Sequence, residues 1–415
     1  MAEPATSTES TPHPNEQVLM ARQPIYDGKS KIVAYELLFR QFENKTAEVV
    51  DGDNATSLVL VNAFTHLDIN ELIGNKKAFI NFTRNLLSDP PPFDKARLVI
   101  EVLEDVKIDD SLVADLTDLS RQGYTIALDD FILQESSHRI LDIADIVKVD
   151  IMELSDTELH EYVRVLKKYD LTLLAEKVET HEEYELCSSL GFELFQGYFL
   201  CKPQIISGKQ VPPAKLVVLE LLGKLQDPTI EFSDLDSLIS RDPILSFKIL
   251  KLVNSAAYSR VAKLDSISRA ISYLGMEQIR SLAALLALSN LNDKPSALKT
   301  QTMIRAKMCE LLGKKIDPDN PSRFFSAGLL STLDAYFDQT LESILESLPL
   351  HDDLTNALLH HEGECGAVLQ SVLMQESADW HEIDWELLAN HGITPNLFND
   401  YYQKAIAWQE QTSTD

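Results

Sequence analysis

The first half of the chain is a succession of short apolar β runs separated by stretches of helical spacing. The runs are Ile32-Val-Ala-Tyr-Glu-Leu-Leu38, Ala78-Phe-Ile-Asn-Phe82, Leu98-Val-Ile-Glu-Val-Leu103, Thr125-Ile-Ala-Leu128, Ile146-Val-Lys-Val149, Leu171-Thr-Leu-Leu-Ala175 and Glu193-Leu-Phe-Gln-Gly-Tyr-Phe199. Residues 55–67 and 112–119 between them follow helical periodicity. Strands that alternate with helices pair in parallel through crossovers. About seven or eight such units in about 200 residues predict a compact α/β barrel.

Each run carries a polar residue in, or just after, its C-terminal part: Glu36, Asn81, Glu101, Asp129, Lys148, Glu176 and Gln196. In an α/β barrel those ends converge on one mouth, where active sites lie. The run from Tyr124 stops on two adjacent acids, Asp129 and Asp130. Neighbouring acids inside a buried strand would leave an unpaired charge, so they belong at a strand end, and their mutual repulsion calls for a cation. Several carboxylates with an Asn oxygen form a hard donor set suited to Mg²⁺ or Mn²⁺, with more carboxylates than one ion needs. Two metals suit phosphodiester hydrolysis. Lys148 could serve the nucleophile or a phosphate oxygen, and Glu176 could take a proton from water. A metal-assisted lyase or enolising enzyme would use similar groups, so these residues alone leave the reaction open.

At 415 residues two domains are expected. The net charge of -28 excludes a broad basic face for nucleic acid or anionic lipid, so an anionic ligand must be held locally. Cys187, Cys201, Cys309 and Cys365 lack the spacing of a zinc site or disulfide framework and read as free thiols. With no apolar run long enough to span a bilayer and no signal-peptide pattern, a soluble cytoplasmic protein is expected. Residues 1–17, rich in Ser, Thr, Pro and Glu, read as a disordered tail.

Taken in order, Gln23-Pro-Ile-Tyr-Asp27, Tyr35-Glu-Leu-Leu-Phe-Arg40, Phe79-Ile-Asn-Phe82, Ile100-Glu-Val-Leu-Glu104, Ala127-Leu-Asp-Asp-Phe131, Val147-Lys-Val-Asp150, Ala175-Glu-Lys-Val-Glu-Thr180 and Phe195-Gln-Gly-Tyr198 resemble the EAL-domain phosphodiesterases that linearise cyclic di-GMP. The resemblance covers residues 18–206 and implies a TIM-like barrel with two Mg²⁺ or Mn²⁺ ions. It implies that Glu36, Asn81, Glu101 and Asp129 hold one metal, and that Asp129, Asp130 and, through water, Lys148 and Glu176 serve the second metal and the nucleophile. Glu176 becomes the general base. Gln196, Arg40 and Gln23 fall on the substrate side, and Glu104 steadies the loop after Asp130. The implied activity is hydrolysis of cyclic di-GMP to linear pGpG, of the kind that governs motility and biofilm formation in bacteria. A homodimer is compatible with it. The alternative is a catalytically weak or silent barrel that senses cyclic di-GMP. Three departures stand out: Glu36-Leu37-Leu38 for Glu-Ala-Leu, Lys177 after Glu176, and Ile132-Leu133-Gln134 in place of Gly-Thr-Gly. The last removes glycines that ease left-handed turns.

From about residue 207 the β runs give way to helices. Asp242 and Pro243 form a helix start, and a second long pattern runs from Ser266 past Gly275 to Leu286. The segment from Arg241 to Ser255, followed by Ile267 to Ser281, resembles the HDOD domain, an all-helical relative of HD-type phosphohydrolases, over residues 207–408, with 409–415 as a polar tail. In the HD family a His-Asp pair holds metal. Here Gly328-Leu-Leu-Ser-Thr-Leu333 puts hydroxyls in its place, and His360-His361-Glu362 reads as a solvated helix end. The resemblance therefore implies a regulatory module that binds an unidentified protein partner.

Overall fold

The computed structural model describes residues 18–41, 72–88, 94–104, 106–131, 138–202, 213–227, 229–255, 264–289, 291 and 294–412. The helical stretch expected at 55–67 and the glycine-poor loop at 132–137 lie outside them.

Eight strands close into a barrel in sequence order: β1 Val18–Asp27, β2 Ile32–Gln41, β3 Lys77–Phe82, β4 Leu98–Val102, β5 Thr125–Leu128, β6 Ile146–Asp150, β7 Thr172–Glu176 and β8 Leu194–Gln196. The barrel is as expected, but the all-parallel sheet needs one correction. Strand β1 runs antiparallel to both of its neighbours, and the pairs from β2 to β8 are parallel. A short turn, with Lys29 and Lys31 donating backbone N–H groups to Asp27, returns β1 directly into β2, which only an antiparallel hairpin permits.

Strand periodicity builds two layers inside. Ile25, Ala34, Phe79, Val99, Ala127, Ile146 and Leu174, with Leu194 against them, form an apolar plug to which all eight strands contribute. The residues between, such as Tyr35, Ile80, Ile100, Leu128, Val147, Ala175 and Phe195, face outward into the core shared with the helices. The Asp110–Gln122 helix over the expected 112–119 stretch starts on Asp109, whose side chain accepts from Leu112 N–H, and stops at left-handed Gly123.

Among the described residues, the elements of the second half are all helices, from Pro213 to Thr412. Asp242 caps the Pro243–Val253 helix as expected. The single long helix expected across Gly275 is instead two, Ile267–Leu274 and Met276–Ser289, because Gly275 at φ 86° and ψ 160° leaves helical geometry. The last helix, Pro395–Thr412, extends into the segment expected as a tail, whose residues 413–415 lie outside the described ones, and buries Gln409.

The two halves meet along β1. Strand β2 pairs with β1 along nearly all of its length, whereas β8 pairs only with Ile25–Asp27, so residues 18–24 present a second backbone edge. Side chains of the helical half satisfy it. Met20 N–H donates to Asn399 Oδ1 (3.2 Å), Gln375 Nε2 donates to the Met20 carbonyl (2.7 Å), and Arg22 N–H donates to the Tyr402 hydroxyl (3.4 Å). An open sheet edge is a template for intermolecular pairing, and these helices cover it.

Candidate functional site

Moving two residues toward the C-terminal end of each parallel strand from the apolar plug gives the next layer of inward side chains. Ala34 leads to Glu36, Phe79 to Asn81, Val99 to Glu101, Ala127 to Asp129, Ile146 to Lys148, Leu174 to Glu176 and Leu194 to Gln196. On antiparallel β1 the offset reverses, and Ile25 leads to Gln23. Gln23 stands opposite Glu36, and Ile25 opposite Gln196. One polar layer thus sits on one apolar layer.

Lys148, at 1 % exposure, is the hub. Its ammonium lies 2.6 Å from Asp129, 2.7 Å from Glu101, 2.9 Å from Glu176 and 3.4 Å from Glu36. Burial alone would lower the lysine pKa, but these carboxylates outweigh it and hold the ammonium charged, well above its ordinary value. Four carboxylates against one ammonium leave a surplus of negative charge in a largely buried site. The consequence is visible in the acids. Burial, reinforced by Glu36 and Asp129 and opposed by Lys148, pushes Glu101 well above the usual carboxylate range. Burial, again opposed by Lys148 and reinforced by Asp129 and Glu36, pushes Glu176 up to about 8. Asp130 is raised by burial and by Asp129.

Added positive charge would relieve this surplus, and the donors for it are present. Asp129, Asp130 and Glu176 each offer an oxygen, all within 4.8 Å of one another. Asn81 Oδ1, Asp130 Oδ1 and Glu101 Oε2 are buried without a hydrogen-bond partner, while Glu101 Oε1 pairs with the Lys148 ammonium. Hard oxygen donors in this number fit a Mg²⁺ or Mn²⁺ ion. Asp130 (φ 39°) and Lys177 (φ 54°) occupy the left-handed region, a backbone cost of about 1 to 3 kcal/mol each that functional sites commonly carry.

Gln196 is locked in place. Its Nε2 donates to Glu36 Oε2 (2.7 Å) and to Gln23 Oε1 (2.8 Å). Gly197 follows at φ 143°, where a Cβ would lie 2.1 Å from the Val178 carbonyl, so only glycine lets β8 close on the segment after β7. Arg40 is exposed near the end of β2, four residues beyond Glu36 and outside the Lys148 cluster. Glu104 is exposed in the turn after β4, and the loop it was expected to steady is outside the described residues.

Asp150 was not among the expected site residues. It is buried at the end of β6, stands opposite Glu176, and accepts from Met152 N–H and from Lys177 Nζ. Its signal was the period of Val147-Lys-Val-Asp150, which returns an acid to the same inward face as Lys148.

In the helical half, Arg305 stands beside the hydroxyls at the place of an HD pair. Its Nη1 donates to Ser331 Oγ (3.0 Å), while Nε and Nη2 clamp Glu376 at 2.9 and 2.6 Å. Thr302 Oγ1 donates to Thr332 Oγ1 at 3.1 Å. A buried guanidinium at this point opposes cation binding. His360 is exposed at the end of its helix, and His361, at φ 55°, is the left-handed residue that terminates it. The four cysteines are free, and no described helix is long and apolar enough to cross a membrane.

Comparison with known proteins agrees with this architecture. The EAL domain family matches residues 54–203 and the HDOD domain family residues 211–349. The EAL match begins after β2, so the barrel register, rather than that match, places Glu36 in the site. The uncharacterized protein YuxH of Bacillus subtilis (strain 168) is 35% identical over 375 residues, covering 88% of this chain and 92% of its own. The cyclic di-GMP phosphodiesterase CdgJ of Vibrio cholerae is 34% identical over 376 residues, covering 89% and 87%. The cyclic di-GMP phosphodiesterase PdeL of Escherichia coli (strain K12) is 26% identical over 211 residues, covering 46% of this chain and 55% of its own. With an eight-stranded barrel, a second half that is helical over the described residues, the EAL match followed by the HDOD match, and a relative, CdgJ, 34% identical over most of both chains, the chain belongs to the family of EAL–HDOD two-domain proteins.

Proposed function

We propose that the barrel is a Mg²⁺- or Mn²⁺-dependent phosphodiesterase that hydrolyses cyclic di-GMP to linear pGpG. The observation that carries this reading is the surplus of buried carboxylates around Lys148, next to the three acid oxygens of Asp129, Asp130 and Glu176. The relationship to CdgJ supplies the substrate class. Glu36, Asn81, Glu101, Asp129 and Asp130 would hold the metal. A bound divalent ion there supplies Lewis acidity to a phosphoryl oxygen and to water.

The side chains do the rest. Glu176 accepts a proton as the water oxygen bonds to phosphorus, and positive charge at the neighbouring acids favours its carboxylate form. The P–O3′ bond breaks, and the leaving 3′-oxygen takes a proton from solvent water while Glu176 returns its own to solvent, which leaves a 3′-hydroxyl and a 5′-phosphate on pGpG. Lys148 keeps Glu176 and Asp129 in register by its contacts of 2.9 and 2.6 Å. Gln196, Gln23 and Arg40 lie on the substrate side, and Arg40, exposed near the end of β2, would meet a phosphate at the mouth. The helical half acts as a regulatory module toward a protein partner.

The test is an assay of the full-length protein with cyclic di-GMP under Mg²⁺ or Mn²⁺, the products resolved by chromatography. Metal-dependent pGpG is expected. Tight retention of cyclic di-GMP without product would instead make the chain a sensor, the reading that Ile132-Leu133-Gln134 in place of the glycine loop favours.

A further inference from the structure

The Gly363–Ser377 helix ends at Ala378 (φ 62°), whose N–H returns to the carbonyls of Met374 and Gln375. The Ser377 carbonyl is among the terminal acceptors that a helix cannot satisfy internally. It accepts instead from Gln23 Nε2 at 3.2 Å, across the junction of the two halves. Gln23 Oε1 in turn accepts from Gln196 Nε2 (2.8 Å), and the same nitrogen donates to Glu36 Oε2 (2.7 Å).

The ends of this chain decide the orientation of everything between. A backbone carbonyl and an ionised carboxylate can only accept, so each needs a donor. Ser377 therefore turns the Gln23 amide NH₂ toward the helix and its oxygen toward Gln196. Gln196 must then present its NH₂ to both Gln23 and Glu36, which leaves Gln196 Oε1 as a buried acceptor without a partner. A flip of either amide would set oxygen against oxygen. The helix end is itself pinned. Glu376, next to Ser377, is held by Arg305 at 2.9 and 2.6 Å and by Gln301 Nε2 at 3.2 Å, with Arg305 and Glu376 both buried. Gln23, Gln196, Gln301 and Glu376 border one small cavity of about 20 Å³, room for about one water.

We infer that Gln23 and Glu376 are positioning residues, through which the helical half sets the orientation of Gln196 and of the Glu36 carboxylate. The inference rests on the proposed metal site. It makes the helical half part of the site's supporting shell, and it gives a partner bound to that half a physical route to the barrel: any shift of the helix end at Ser377 releases the amide of Gln23.

The test uses full-length wild type, Gln23→Met, Glu376→Gln and the double variant, with Mn²⁺ affinity measured by calorimetry in the absence of nucleotide. Circular dichroism and urea unfolding report on the fold. Met keeps the length of Gln23 and removes both hydrogen bonds. Gln23→Met should stay folded and bind Mn²⁺ about 10- to 100-fold more weakly, the range for losing an outer-shell partner. Glu376→Gln should weaken binding in the same direction, and the double variant should be no worse than Gln23→Met alone. Should Glu376→Gln fail to fold, the apolar pair Arg305→Met with Glu376→Met takes its place. Wild-type Mn²⁺ affinity in Gln23→Met, or losses that multiply in the double variant, would overturn the relay. Wild type that binds no Mn²⁺ would overturn both the relay and the metal site. Wild type that binds Mn²⁺ but produces no pGpG, with the expected pattern among the variants, would sink the hydrolytic reading and leave the relay standing.

Discussion

Glu36 faces Lys148 and Gln196 from a strand that precedes the matched EAL region, so its importance is a claim of the barrel's geometry. Glu36→Ala removes a buried carboxylate that the Lys148 cluster holds in place. Turnover under Mg²⁺ or Mn²⁺ should fall by more than the about 100-fold typical of an outer-shell loss, measured as pGpG formed per folded protein. Hydrolysis at the wild-type rate would remove Glu36 from the metal set. Glu176→Gln separates binding from proton transfer, because the amide keeps the size of the carboxylate but cannot accept the proton. Turnover should drop by about 10² to 10⁴, while cyclic di-GMP binding, followed by calorimetry, stays within a few-fold of wild type. Normal turnover in this variant would assign the base to another group.

Strand β1 is the element on which the two halves depend. Its second edge is closed by Gln375, Asn399 and Tyr402 from helices that lie beyond the HDOD match at 211–349. Gln375 is fully buried and serves two partners, donating to the Met20 carbonyl and accepting from Trp380 Nε1 at 2.8 Å. Gln375→Leu keeps the bulk and leaves both groups unsatisfied, at a cost of about 1 to 3 kcal/mol each. Urea unfolding of the full chain should show a loss of about 2 to 6 kcal/mol. A midpoint unchanged from wild type would mean that the edge is satisfied by other means. A chain ending at residue 206 loses all three partners at once. It should self-associate through the bared β1 edge, and size-exclusion chromatography of a monodisperse barrel fragment would contradict this.

For the molecule as a whole, the acid oxygens that could share a metal ion lie in the barrel, and among the described residues of the helical half no such group of acids, histidines or cysteines occurs. Arg305 bonded to Ser331 and Glu376 puts a buried cation where an HD site would need ligands. In full-length Glu36→Ala no second metal-dependent phosphohydrolase activity should therefore appear. Nucleotide cleavage restored by a transition metal, unaffected by substitutions at Glu176, would place a second centre in the helical half.

The barrel and most of its polar layer were legible in the chain because strand period is local: an apolar residue at one position and a polar one two later, repeated from strand to strand, specify which face is inward before any tertiary contact forms. The cap at Asp242 was legible for the same reason, since it serves backbone N–H groups within three residues. Asp150 was overlooked although its period was present, and the break at Gly275 turned on one backbone conformation that a helical pattern of apolar residues does not reveal. Other features depend on residues far apart in sequence. The pairing of β1 with β8, which sets Ile25 against Gln196, is decided by barrel closure. The bond from Gln23 to the Ser377 carbonyl spans 354 residues, and that from Gln375 to Met20 spans 355. No local pattern encodes such pairings, because the donor and acceptor meet only after both halves have folded and each has a terminal or edge group left to satisfy.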